Sequence, residues 1–342
     1  MTRQTPRNNP SATPRRRVAL RAATLTVAAL LGVASLPARA DGTYPDKPIR
    51  LVVGYSAGGP TDVLARVLGQ DIGATLGQSV IVDNKAGVNG NIATEFVQRA
   101  APDGYTLIVN TISHNVNPLL QPARIKYDPI KDFTPISMVA VLPQLIVVAG
   151  DSPYKTLDDL VKKAKSKTDA VSYGTAGVGG SAHLAAALLE QKTGTHMNHI
   201  PFKGNAPALT EVMSGRVDFM FFPMIGASEY VTSGKLRILA VTTAKRHADY
   251  PQVPTTGELG FPGFDEYSQP IGFIAPAGLP KPIADKLDSA IAAALAKPAL
   301  QERLRSLGAD VKHLGPTEYR DWLAKDRARW AELIRSANIK AE

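Results

Sequence analysis

Residues 51–62 read LVVGYSAGGPTD, an apolar run that ends in a glycine-rich turn and a proline. Gly54-Tyr55-Ser56-Ala57-Gly58 satisfies G-x-S-x-G, the pattern of a nucleophile elbow in an α/β-hydrolase. The same residues, followed by Pro60 and Thr61, also suit a turn whose backbone amides hold an anion at the start of a helix. An elbow follows a central strand with several βα units before it and an oxyanion segment upstream. Only 15 residues lie between position 40, where an N-terminal leader ends, and Ser56. Asp285 and His313 are available later in the chain as triad partners, but no spacing singles them out. The turn Tyr55, Ser56, Ala57, Gly58, Gly59, Pro60 and Thr61 is therefore read as an anion cradle, with a hydrolase using Ser56 as the remote alternative.

The leader is read from charge and hydropathy. Arg15-Arg16-Arg17 precede an apolar run of about 15 residues from Ala22, and Ala38-Arg39-Ala40 has the A-x-A form of a cleavage site. That run is shorter than the ~20 residues of a membrane span. Residues 1–40 are expected to be a signal peptide, exported by the general or the twin-arginine route. They carry seven arginines and no acid, so the formal charge of +9 shrinks to 32 basic against 30 acidic residues without them. The basic balance thus implies no nucleic-acid partner. Cysteine is absent, which excludes disulfides, thiol catalysis and Cys-ligated metals.

Strand and helix patterns then alternate. Strands are expected at 49–53, 80–82 and 105–110, with helices at 61–76 and 91–99, the second opened by the turn Gly87-Val88-Asn89-Gly90. After Pro143, strands at 145–149, 170–173, 196–200, 217–222 and 236–241 enclose helices at 156–166, 181–192 and 205–214 and one ending at 233. Residues 251–263 read as a proline- and glycine-rich connection, 271–275 as a strand, and the rest as helix. The order predicts an α/β protein of two mainly parallel sheets in two lobes, 41–143 with 250–342 and 144–249. The strands at 145–149 and 271–275 are expected to cross between them.

Three further turns lie between a strand and a helix, where ligands bind in open α/β sheets. They are Thr111-Ile112-Ser113-His114, the run from Gly174 to Ser181, and Phe202-Lys203-Gly204-Asn205. The run Gly174-x4-Gly179-Gly180-Ser181 imitates a phosphate loop but has glycine in place of its lysine, which argues against a triphosphate and suits a smaller anion. Candidate ligand contacts are Thr111, Ser113, Thr175, Ala176, Gly177, Gly179, Ser181, His183, Lys203 and Gly204, with no catalytic residue. His196 and His199 form an H-x2-H pair without further ligands in sight, so no metal is expected.

The chain resembles the tripartite tricarboxylate transporter substrate-binding proteins, the Bug (TctC-like) family of bacterial periplasmic receptors. The matching segments include YPDKPIRLVVGYSAGGPTDVLAR, AGVNGNIATEFVQRAAPDGYTLIV, VSYGTAGVGGSAHLAAALLE, IPFKGNAPALTEVMSGRVDFMF and GFIAPAGLP. The resemblance implies a two-lobed type II periplasmic binding fold. It implies a small organic carboxylate held by backbone amides, no cofactor, a monomer in the periplasm, and delivery to integral membrane subunits of the TctA/TctB type. A ligand-sensing subunit would share the same site. Two departures stand out. Ser56 occupies a place often held by proline, and Phe222 and Pro223 stand where members commonly carry an acid. Both Phe222 and Pro223 are therefore added to the candidate contacts, and an aromatic or aliphatic carboxylate is expected in preference to an amino acid.

Overall fold

The first sheet begins with β1 (Ile49–Val53), whose side chains alternate between two apolar layers: Leu51 and Val53 face one, Val52 the other. The structure, a computed structural model, describes residues 1–2, 44–336 and 339–340. The expected leader, 1–40, falls outside them save for its first two residues. Around β1 are β2 (Val80–Asn84), β3 (Thr106–Asn110), β4 (Phe133–Leu142), β10 (Gln269–Pro276) and β11 (Asp310–Leu314), in the order β11-β4-β10-β3-β1-β2. A second sheet holds β5 (Gln144–Ala149), β6 (Ser172–Thr175), β7 (Asn198–Pro201), β8 (Phe219–Pro223) and β9 (Leu236–Val241), in the order β7-β6-β8-β5-β9.

Helices follow from local chemistry. In α1 (Pro60–Leu76), proline presets the first turn, Gly77 closes the end in the left-handed conformation, and Leu64, Leu68 and Ile72 form the buried stripe. α4 (Leu157–Ser166) starts on a capping box: Thr156 Oγ1 accepts from the Asp159 amide at 3.1 Å, and the Asp159 carboxylate accepts from the Thr156 amide at 2.9 Å. The remaining helices are α2 (Asn91–Gln98), α3 (Ser113–Leu120), α5 (Ser181–Thr193), α6 (Asn205–Met213), α7 (Ser228–Thr232), α8 (Lys281–Leu295), α9 (Pro298–Ser306) and α10 (Pro316–Ser336).

The two-sheet α/β architecture agrees with the sequence reading, with three additions. The sheets are mixed, not mainly parallel as expected: β2-β1-β3 and β7-β6-β8 pair parallel, whereas β10 runs against β3 and β4, β11 against β4, and β5 against β8 and β9. A strand that enters from the other sheet arrives in the opposite sense to the βαβ units it joins. The chain crosses beside the two strands expected to carry it, at Pro143 between β4 and β5 and along 242–268 before β10. Three elements were not foreseen: α3, whose SHNVNPLL contains Pro118; β4, with Pro135; and β11, an edge strand inside what reads as continuous helix.

α3 is held by its side chains. Asn115 Nδ2 donates to the Leu323 carbonyl and to Asp326 Oδ2, both at 3.0 Å, tying it to α10. Further along α10, Trp330 lies edge-on to Tyr267, in the apolar cluster that also contains Phe219 and Phe221 of the second sheet. Nearer its start, the hydroxyl end of Tyr319 packs on Gly272 of β10, and the hydroxyl accepts from Asn110 Nδ2 at 2.8 Å.

A Cβ at Gly272 would overlap the Tyr319 hydroxyl and lie 2.5 Å from ring carbon Cζ. Gly272→Ala is expected to lower stability by about 1–3 kcal/mol through that overpacking. Tyr319→Phe is expected to cost about 1–3 kcal/mol because the buried Asn110 amide loses its acceptor. Urea unfolding checks both, and a midpoint shift of either variant within error of zero contradicts the packing described.

Candidate functional site

Three helices start at one hollow between the sheets without a side-chain cap. They are α1 from the first sheet's half of the molecule and α5 and α6 from the second's, with cap residues Gly59, Gly180 and Gly204. A glycine cap leaves the first amide hydrogens of each helix with no side-chain acceptor, and the helix dipole adds partial positive charge. α3 also begins here, but its own chain closes it: the His114 and Asn115 amides turn back to Thr111 and Ile112 carbonyls at 3.1 Å.

The hollow is lined by Thr61, Ser181, Ala182 and Asn205 from the three helix starts, together with Tyr55, Asn89, Ile112, Ser113, Ala176, Gly180 and Gln269. None is charged. Its volume is about 10 Å³, room for about one water. Tyr55 anchors one wall: its hydroxyl is 3.0 Å from Thr111 Oγ1 and 2.8 Å from Ser113 Oγ. Burial pushes its phenol above the ordinary value, against the hydrogen bonds to Ser113 and Thr111, so it stays neutral. Ser56 Oγ and Asn205 Oδ1 are buried without a protein partner. Such groups call for a partner supplied from elsewhere.

The walls from the two sheets touch. Asn89 Nδ2 donates to the Val178 carbonyl at 2.8 Å and to Asn117 Oδ1 at 3.0 Å, and Gly177 packs on the Asn89 backbone. A Cβ at Gly204 would overlap Ser56 Oγ and fall 2.8 Å from the Ser56 nitrogen. Gln269, at the return crossing, donates to Thr61 Oγ1 at 3.1 Å and lies 3.4 Å from Ser181 Oγ, so it touches both sides.

The residues expected from sequence divide into three groups. Tyr55, Thr61, Ser113, Ala176 and Ser181 line the hollow, while Ser56 and Gly204 meet across its edge and Thr111 braces Tyr55. A second group shapes the turns. The Gly58 amide is taken by Asp62 Oδ2 at 2.9 Å and the Gly177 amide by Thr175 Oγ1 at 3.1 Å. The Gly179 amide donates to His183 Nδ1 at 3.2 Å, and Gly59 and Pro60 cap and open α1. His183 in turn stacks on His199 with ring centres 4.6 Å apart. The third group stands apart. Ala57 is exposed, and Lys203 is exposed on an outer groove. Phe222 lies in the core beside Leu145, and Pro223 pairs with Gln144; neither lines the hollow. The lining itself offers no carboxylate to an ammonium.

Asn89, Asn205 and Gln269 were not foreseen as contacts. The glycines around Asn89 were visible, and Asn89 itself adopts φ 48°, ψ 46°, a left-handed conformation that asparagine tolerates. Gln269 carries no local signal.

Asp62 is the carboxylate nearest the first turn. Burial alone would raise its pKa, but hydrogen bonds from Arg66, the Gly58 amide and Asn84 outweigh that and hold it below the usual range. Arg66 grips it at 2.9 Å through Nε and Nη2, so its charge is countered. The triad reading of Ser56 fails on partners: Asp285 binds Lys281, and His313 Nε2 is 2.9 Å from Asp288 Oδ1. The H-x2-H pair is split, His196 on exposed Asp169 and His199 buried on Thr175 Oγ1 at 2.7 Å. No helix among the described residues is long and apolar enough to cross a membrane.

The family model described as "Tripartite tricarboxylate transporter family receptor" (TctC) matches residues 64–339. The chain belongs to this family. The periplasmic binding protein BugD is 36% identical, and its structure superposes with a TM-score of 0.83 over 87% of this chain and 100% of that one. MatC from Rhodopseudomonas palustris with bound malate is 31% identical, with a TM-score of 0.80 over 85% of this chain and 100% of that one. A second R. palustris protein, solved with adipate, is 32% identical, with a TM-score of 0.83 over 87% and 99%. The fold is accordingly the two-lobed one of periplasmic binding proteins.

Burial lowers the pKa of His114 and of His199 to about 4, so both are neutral in the fold at pH values where the unfolded chain is protonated. Folded values below the unfolded 6.5 mean that unfolding takes up protons between pH 4 and 6.5. Stability is therefore expected to fall as pH drops through that window, by about 1.4 kcal/mol per pH unit per histidine. Urea titrations across the window check this, and His114→Gln should remove about half of the slope. A flat profile contradicts the buried neutral state.

Proposed function

We propose that this protein is an exported receptor that closes two lobes on a small organic carboxylate and delivers it to integral membrane subunits of the TctA/TctB type. The observation that carries the reading is the convergence of three uncapped helix starts, contributed by both halves, on a hollow without a charged side chain. An anion satisfies such amides and the dipoles behind them, and a neutral ligand leaves them wanting. The relatives with malate and adipate support the same ligand class.

The lobes we assign are 41–143 with 250–342, and 144–249, preceded by a signal peptide over 1–40 that directs the chain to the periplasm. The hollow of about 10 Å³ cannot admit a malate-sized acid, so the lobes part to load it. A ligand that touches helix starts of both lobes binds the closed form better and shifts the population towards it. Ser56 Oγ and Asn205 Oδ1 stand ready at the rim as polar partners for the bound acid or its water. No covalent step is involved.

A thermal-shift and calorimetric screen of the chain without its leader should find ligands among carboxylates, with no hydrolysis of p-nitrophenyl acetate. Gly204→Val is expected to weaken binding about tenfold or more, because a Cβ there overlaps Ser56 Oγ and lies 2.8 Å from the Ser56 nitrogen of the facing wall. A screen in which only neutral or cationic solutes bind would falsify the proposal.

A further inference from the structure

The turn between β2 and α2 departs from ordinary backbone. Val88 and Asn89 follow one another at φ 47° and 48°, a region that a β-branched residue avoids. Val88 is 52% exposed, so burial does not repay its strain. What the conformation achieves is the placement of Asn89. Its carbonyl accepts from Asn117 Nδ2 at 3.1 Å, and its own Nδ2 donates back to Asn117 Oδ1 at 3.0 Å, so α3 of the same half fixes both its backbone and its side chain. The second hydrogen of that amide crosses to the other half, to the Val178 carbonyl at 2.8 Å. The surface that receives it is the run Gly177-Val178-Gly179-Gly180. A Cβ at Gly177 would fall 3.1 Å from Asn89 Cβ, one at Gly180 3.1 Å from Asn89 Oδ1, and one at Gly179 3.3 Å from Asn117 Oδ1. Gly177 and Gly179 have positive φ, but Gly180 does not: its φ of −74° and ψ of 164° suit any residue. The nearest atom to a Cβ there belongs to Asn89, so glycine at 180 answers to the facing half and not to the backbone of its own loop.

We infer that Asn89 is a key and the run 177–180 its socket, and that their fit sets how strongly the closed form is favoured. The inference rests on the two-lobed receptor reading above and adds a positioning residue to it. Asn89 is held by its own lobe, so it is in place before the lobes meet and little remains to be ordered on contact. On opening, its amide hydrogen and the Val178 carbonyl both return to water, so the contact biases closure by no more than one net hydrogen bond and its packing. A bias of that size lets the lobes part again, and it is the same for every ligand. Glycines that imitate a phosphate loop in the sequence thus serve the opposite lobe, and the helix start behind them stays open to the bound acid.

The test reads the separation of the lobes directly. The chain has no cysteine, so Lys126→Cys and Thr210→Cys, one exposed position on each assigned lobe, accept two spin labels. Pulsed dipolar spectroscopy of the chain without its leader then follows closure during titration with malate and with adipate. Four proteins are compared: the labelled parent, Gly180→Ala, Asn89→Gly and the double variant. Asn89→Gly keeps the left-handed backbone and removes the key. At acid concentrations where the parent shows both forms, Asn89→Gly should lower the ratio of closed to open molecules about tenfold and Gly180→Ala about threefold. In the Asn89→Gly chain, Gly180→Ala should add nothing, because the atom it strikes is gone. A closed fraction that Asn89→Gly leaves unchanged overturns the inference. So does a Gly180→Ala effect of equal size in both chains, which places the added methyl against the ligand or its own loop. In both cases the receptor reading stands. A parent protein whose lobe separation is the same alone and with every carboxylate of the screen has no closure to favour, and the two readings fall together.

Discussion

Amide hydrogens that no side chain claims, gathered at one place, are the constraint on which this molecule turns. α1, α5 and α6 each begin behind a glycine, so nothing from the local sequence accepts from their first turns. An exposed helix start can leave that task to bulk water. Here the starts face one another across a narrow hollow, where the dielectric is low and water is scarce. Glycine serves twice in this arrangement. At Gly204 it removes the cap and lets the backbone approach Ser56 of the opposite wall; at Gly177 it does the same against Asn89.

The turns are rigid because other groups hold them from behind. Asp62, Thr175 and His183 each take one amide from a glycine turn, and Arg66 and His199 hold the groups that do so. These braces explain how backbone donors can be precise without being capped. They also sort the polar residues near the site: those that orient the loops sit behind, whereas Asn205 and Gln269 line the hollow. Leaving Ser56 Oγ and Asn205 Oδ1 without partners costs about 1–3 kcal/mol each in a closed protein, which is how a binding site trades stability for affinity.

The chain passes between the two sheets at two closely tied segments. Only Pro143 separates β4 from β5; Gln144 opens β5 in the second sheet, and Gln269 opens β10 in the first, opposite Leu142 of β4. Gln144 is tied to Thr242 and to the Tyr267 carbonyl, so the outgoing and returning segments are bonded to each other at the crossing. Proline limits the backbone at the break, and the bonds of Gln144 to Thr242 and Tyr267 keep the two paths together. Gln269 extends this junction to the hollow through Thr61 and Ser181.

The sequence by itself determined the elements whose physics is local. Apolar runs such as 49–53, Pro60 at a helix start, Gly77 and Gly194 at helix ends, and the Thr156–Asp159 box all fix structure within a few residues. The glycine turns were legible for the same reason. Tertiary structure decided the rest. α3 reads as a loop because Pro118 and its asparagines disfavour helix in isolation; it forms because Asn115 and Asn117 find partners in other segments. β4 contains a proline, and β11 is a short edge strand whose pairing lies far away in sequence. Gln269 and Asn205 reach the site only when two sheets face each other, and Phe222, promising on paper, is turned into the core by the register of β8 with β5. Residues that act across a cleft between lobes leave no periodic or spacing signal, because what brings them together is the packing of distant segments and not the geometry of one.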